Sequence, residues 1–210
     1  QNQPQSILTV EELNNLPIPD YSQFEDFRFY RPLGNDGRVW RMITVTTHLG
    51  CPYTCSFCNS PSQNEKFGFS FFRKLSVEKI REQIVAFKKL YDIEYFFNWA
   101  DTFLAWTKYE LDAYCEMYID FQDPYWCQSR PETFAPDRDG HHKLTKLMDC
   151  GLHWMSLGLE HGNEQFRKET VDRPYGNQLI IDSIQVARDV GLNYTVNNIM
   201  GFPHETRELV

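Results

Sequence analysis

Short β-branched or aromatic runs alternate with longer stretches of apolar residues at helical spacing through residues 40–210. Met42-Ile43-Thr44-Val45-Thr46-Thr47 reads as a first strand. Ser76 then caps a predicted helix in which Val77, Ile80, Ile84 and Phe87 share one face. Residues 93–100 form a second strand, and Thr107-Lys108-Tyr109-Glu110 has the capping-box pattern that opens a helix running to about residue 119. Residues 125–130 are a short third strand. A helix over 139–148 follows, stopped by Gly151. Residues 153–160 make a fourth strand, 163–171 a short helical turn, and 176–190 a helix with Ile180, Ile184 and Ala187 on one face. Residues 194–201 are the fifth strand, and Phe202-Pro203-His204-Glu205-Thr206 opens a further helix.

Strand–helix alternation of this kind predicts parallel βα units and an α/β fold. Five strands are too few for a closed eight-stranded barrel, which takes ~250 residues. The expected architecture is a partial TIM-like (β/α) barrel, incomplete at its C-terminus. Residues 1–25, punctuated by Pro4, Pro17 and Pro19, read as a tail or linker, and 26–210 as the core domain. Leu33 to Trp40 reads as a hairpin into the first strand. Its Gly34 and Gly37 do not make a phosphate loop, because no helix follows. Residues 59–74 are expected to be irregular, with Phe67, Phe69, Phe71 and Phe72 available to cover what precedes them.

Composition narrows the function. The chain has 210 residues and a formal net charge of −8, with 41% hydrophobic and 15% aromatic residues. That supports a sizeable core and disfavours a broad nucleic-acid footprint, which needs a basic face. No apolar run approaches the ~20 residues of a membrane span. Six cysteines in 210 residues are too sparse for a disulfide-stapled domain and suit a reducing, cytoplasmic setting. Cys115, Cys127 and Cys150 fall within predicted elements, as buried soft hydrophobes do.

The other three concentrate the chemistry. Gly50-Cys51-Pro52-Tyr53-Thr54-Cys55-Ser56-Phe57-Cys58 places three thiols at C-x3-C-x2-C, just beyond the first strand. Three converging soft ligands suit an iron–sulfur cluster or a thiophilic metal. A Cys₃His zinc site with His48 as fourth ligand is the alternative, and would make the chain a binding module without redox chemistry.

The cysteine loop, with Phe57 before the third cysteine, resembles the signature of the radical S-adenosylmethionine (SAM) superfamily, C-x3-C-x-aromatic-C. Three further segments resemble that family in the same order: Trp99-Ala100-Asp101-Thr102-Phe103, Leu157-Gly158-Leu159-Glu160-His161-Gly162, and Ile199-Met200-Gly201-Phe202-Pro203-His204-Glu205-Thr206. Ala100 and His161 depart from the family's usual residues. The resemblance implies that Cys51, Cys55 and Cys58 hold a [4Fe–4S] cluster whose open iron binds SAM. Reductive cleavage would then give a 5′-deoxyadenosyl radical, used for hydrogen abstraction or for methyl or methylthio transfer. It also implies SAM contacts at Phe57, Asp101, Glu160, Asn198 and Gly201. Arg130, at the end of the third strand, is placed either to pair with the SAM carboxylate by a bidentate contact or to make a surface salt bridge. A flavodoxin- or ferredoxin-like reductant and a small-molecule or peptide substrate are the expected partners. The order of segments is most like the branch often fused to a cobalamin-binding domain, so cobalamin is a possible further cofactor, carried outside this chain.

Overall fold

The computed structural model describes residues 6–33, 37–68 and 71–209. The sheet has six strands in the order β1 (Tyr30–Pro32), β2 (Val39–Thr46), β5 (Tyr95–Trp99), β6 (Tyr125–Ser129), β7 (Leu152–Glu160), β8 (Asn193–Asn198). β1 pairs antiparallel with β2, and the remaining pairs are parallel. The five predicted strands are therefore neighbours in sequence order, as right-handed βα crossovers place them. They curl into an open half-barrel, the partial barrel expected. A separate ribbon pairs β3 (His48–Leu49) with β4 (Arg73–Lys74).

Alternation along each strand divides the two faces. Ile43, Val45, Phe96, Cys127, Met155 and Leu157 are buried in one core with the apolar stripes of α3 (Val77–Tyr91), α4 (Lys108–Tyr118), α5 (Gly140–Asp149) and α7 (Asn177–Asp189). Ile80, Ile84 and Phe87 of α3 are fully inaccessible, as their spacing requires. Cys115, Cys127 and Cys150 are in the same core. The opposite face carries Met42, Thr44, Phe97 and Trp126, which line a cavity of about 550 Å³. Phe97 stacks on Trp126 with ring centroids 4.0 Å apart.

Three expectations fail for physical reasons. Residues 59–74 are not wholly irregular: α2 (Ser60–Phe67) forms there, with Pro61 in its first turn. Its polar sequence, SPSQNEKF, has no apolar stripe to announce it. Residues 202–206 do not open a helix; the chain turns instead, and no helix follows β8 among the described residues. Residues 6–25 are not a loose tail. α1 (Val10–Asn14) has a Thr9–Glu12 capping box, and Asn14 accepts the Ser76 backbone N–H at 2.9 Å. Lys79 reaches the Leu16 carbonyl, and Tyr21 packs on Phe87 and Tyr91. The turn of the predicted hairpin, 34–36, lies outside the described residues, as does Phe69.

Gly140, the first residue of α5, is a packing requirement. A Cβ there would run into the backbone carbonyls of Phe134 and Ala135. Gly140→Ala should lower stability by about 1–3 kcal/mol, the usual range for overpacking, as chemical denaturation would measure.

Candidate functional site

Loops from the C-terminal ends of five strands meet at one rim, where the active sites of βα barrels lie. The cysteine loop leaves β2 through the short β3. Gly50 opens it at φ +79°, where a Cβ would lie 2.7 Å from the Phe71 carbonyl oxygen, so glycine is required twice over. Asn64 of α2 donates to the Cys51 carbonyl at 2.9 Å, and the Ser56 N–H donates to Val171 at 3.2 Å. The loop is thus tied down on both sides.

Cys51, Cys55 and Cys58 open onto one cavity of about 210 Å³. Each sulfur has its own donor nearby. Thr102 Oγ1 lies 3.5 Å from Cys51 Sγ, Arg130 Nη1 donates to Cys55 Sγ at 3.0 Å, and the Ser60 N–H to Cys58 Sγ at 3.4 Å. Burial pushes the Cys51 thiol up, against the hydrogen bond from Thr102. Phe57, Asp101, Arg130 and Glu160 line the same cavity, so three of the four family-like segments meet there together with the end of β6. Asp101 sits exposed at its edge.

Two residues fall elsewhere. Asn198 lines a second cavity, of about 220 Å³, with His161, Met200 and Glu205. Gly201 borders neither cavity; its φ of +93° accounts for the glycine, and open space surrounds the position of a Cβ. Glu160 lines both cavities and is their common wall.

Glu160 is held in an unusual way. Its φ is +72°, and the register with β8 shifts between Gly158 and Glu160. A left-handed backbone on a residue with a long side chain is costly, and such strain concentrates at working sites. Gly158 makes room for it, since a Cβ there would strike the Glu160 carboxylate. Arg173 Nη2 pairs with Glu160 Oε1 at 3.0 Å, both side chains nearly buried. Burial raises the Glu160 carboxyl above the usual range, with Arg173 and then Arg130 opposing.

Arg173 is absent from the residues singled out in the sequence. It lies in a polar turn after α6 (Glu164–Glu169), where no periodicity marks it. It also donates to the Gly158 carbonyl and to Tyr175 Oη, the latter at 3.1 Å, and its buried Nε has no partner. Burial works against its charge, but Tyr175, Cys55 and Glu160 outweigh that and keep it protonated. Arg130 is likewise engaged within the protein. Its Nε meets Glu132 at 2.5 Å and its guanidinium lies 3.8 Å over the Tyr53 ring.

His48 does not join the cysteines. Its Nδ1 lies 2.9 Å from the Thr47 hydroxyl, and its ring packs against Phe72, Phe103 and Trp106. Burial, then the nearby Lys74, depress it to about 3. Three thiolates on one zinc ion would stand roughly 4 Å apart. Among the described residues, no three His, Cys, Asp or Glu side chains gather closely enough to hold one ion. The zinc reading therefore loses its fourth ligand. A cubane cluster gives each cysteine a separate iron, which suits thiols spaced around a cavity and supplied with individual donors.

Comparison with known proteins agrees. Residues 45–210 match the model of the radical SAM superfamily. An uncharacterized methyltransferase of Pyrococcus horikoshii is 29% identical over the whole chain, which covers 42% of that protein. Cytidylyl-2-hydroxyethylphosphonate methyltransferase of Streptomyces wedmorensis is 21% identical over 91% of the chain, which covers 35% of it. The chain thus spans less than half of the length of these relatives. Among solved structures, the cobalamin-dependent SAM radical enzyme OxsB aligns over 75% of this chain and 23% of its own, with a TM-score of 0.61 and 20% identity. The radical SAM methyltransferase TsrM of Kitasatospora setae aligns over 85% of this chain and 36% of its own, at a TM-score of 0.59 and 15% identity. Those two share the fold. With the family match over most of its length, the chain belongs to the radical SAM superfamily.

Proposed function

We propose that this chain is the catalytic core of a radical SAM methyltransferase. The observation that carries the cofactor assignment is the set of three thiols, each with its own hydrogen-bond donor, around one cavity walled by Glu160 and Arg173. Methyl transfer as the outcome is supported by the two methyltransferase relatives.

Cys51, Cys55 and Cys58 would hold a [4Fe–4S] cluster. When bound and reduced, that cluster supplies the electron that breaks a sulfonium bond of SAM. The residues around it bind and orient. Arg173, a planar cation facing the cavity, is suited to an α-carboxylate, and Asp101 at the edge to an ammonium group. The carboxylate of Glu160 can accept both hydroxyls of a ribose. Because Glu160 borders both cavities, the nucleoside end would extend past it towards Asn198. The Phe57 ring lies beside the Arg173 guanidinium, its centroid 5.7 Å away. Arg130 and Thr102, as donors to cysteine sulfur, would stabilise the reduced, more negative state. Cobalamin, present in the OxsB and TsrM structures, would be the methyl carrier, held by another part of the protein. A flavodoxin- or ferredoxin-like protein would deliver the electron.

Anaerobic reconstitution followed by electron paramagnetic resonance tests this. The reduced protein should show a [4Fe–4S]⁺ signal that changes when SAM is added. A colourless protein that retains zinc, or a signal indifferent to SAM, would overturn the assignment.

A further inference from the structure

We propose that His161 and Glu205 form a clasp that positions Glu160 and closes the two rim loops over the nucleoside end of the ligand; this rests on the SAM reading above. The His161 ring is defined at both nitrogens. Nδ1 accepts the Asn163 backbone N–H at 3.1 Å, so the proton sits on Nε2, which donates to Glu205 Oε1 at 2.9 Å. The other Glu205 oxygen accepts the backbone N–H groups of Gly201 and of Phe202, the latter at 3.1 Å. One carboxylate therefore gathers the turn after β8 and ties it to the turn after β7.

Both side chains are largely covered, at 3% and 5% exposed, with His161 buried and Glu205 in the turn near the surface. His161 packs on Phe166 at 4.4 Å between ring centroids, and its carbonyl accepts from the fully buried Arg167 at 2.7 Å. Directly before it in the chain stands Glu160 with its left-handed backbone, whose carbonyl accepts the Ile199 N–H at 2.8 Å. Such a backbone persists only where its surroundings over-determine it. The clasp fixes the residue after Glu160 and the turn opposite it, and so sets the wall shared by the two cavities. His161 and Glu205 are positioning residues: their polar atoms are spent on each other and on the backbone.

Glu205→Gln is the sharpest variant. A neutral amide cannot accept from His161, Gly201 and Phe202 on both ends, so in either orientation its NH₂ faces a donor. Switching the His161 tautomer only moves the conflict to the Asn163 N–H. In the intact, cluster-loaded protein, affinities for S-adenosylhomocysteine and 5′-methylthioadenosine should both fall about tenfold, the scale of an unsatisfied buried donor. Amide exchange at Gly201, Phe202 and Asn163 should quicken. The resonance signal of the reduced cluster, and the methionine concentration that perturbs it, should not change. If the variant fails to fold, His161→Ala should show the same split with a loss of about threefold, since Glu205 keeps its two backbone bonds. Unchanged nucleoside affinity and amide exchange would overturn the clasp, as would equal losses for methionine and nucleoside. A wild-type protein that binds none of these ligands would instead bring down the SAM reading, and the clasp's positioning role with it.

Discussion

Replacing any one of Cys51, Cys55 and Cys58 by alanine should abolish cluster assembly and reduce SAM cleavage to background. The three sulfurs are not interchangeable supports. Each opens on the same cavity, and each is served by a different donor from a different part of the fold: Thr102 after β5, Arg130 after β6, Ser60 at the start of α2. On the proposed cluster, removing one would take away an iron ligand that no other described cysteine can replace, since Cys115, Cys127 and Cys150 are buried in the core. Fold stability should change little, because the loop is also held by Gly50, Asn64 and the Ser56–Val171 hydrogen bond. Iron content and the reduced-state resonance signal measure the first effect, and thermal melting the second. Retained SAM cleavage in Cys55→Ala would refute the site.

Arg173→Met should be the most damaging substitution outside the cysteines. It leaves Glu160 buried at the junction of the two cavities with its main counter-charge gone. Breaking one partner of a buried pair typically costs about 3–5 kcal/mol. SAM affinity should fall about a hundredfold, as expected for losing charge-assisted bonds to a carboxylate. The double variant Arg173→Met/Glu160→Gln separates the two effects. Removing both charges should recover much of the stability, while SAM binding stays lost. Denaturation midpoints and equilibrium binding report the two independently. If the double variant bound SAM as well as the wild type, neither side chain would be a ligand contact.

The pattern of strands and helices was legible because each core element declares itself locally. β2 is β-branched, α3 has an apolar stripe, α4 has a capping box, and Gly151 follows the end of α5. The cysteine loop was legible because one short segment carries all three thiols, and two of the other family-like segments bring Asp101 and Glu160 to the cavity those thiols face. α2 was illegible for the opposite reason: a polar helix that docks through Asn64 rather than an apolar face leaves no periodic trace. The segment before residue 26 misled in the same way, since it packs through a few anchors, Asn14, Leu16 and Tyr21, rather than through a repeating stripe.

The site residues divide along the same line. Cys51, Cys55 and Cys58 could be singled out by their spacing, and Glu160 by the resemblance of its segment, because these signals lie in adjacent positions. The partners of these groups lie far away in the chain, and only the folded half-barrel brings them within reach. Arg130 meets a sulfur 75 residues before it rather than standing free for a ligand. Arg173 reaches back to Glu160 from a turn with no pattern of its own. Glu205, in the segment read as opening a helix, instead closes on His161 across 44 residues. His48 stands three residues before Cys51, yet is turned into an aromatic cage. Local propensity and periodicity act over a few residues, so the chain alone determines its elements and its thiol cluster; charge pairing across loops depends on where the sheet curls, and that only the tertiary structure decides.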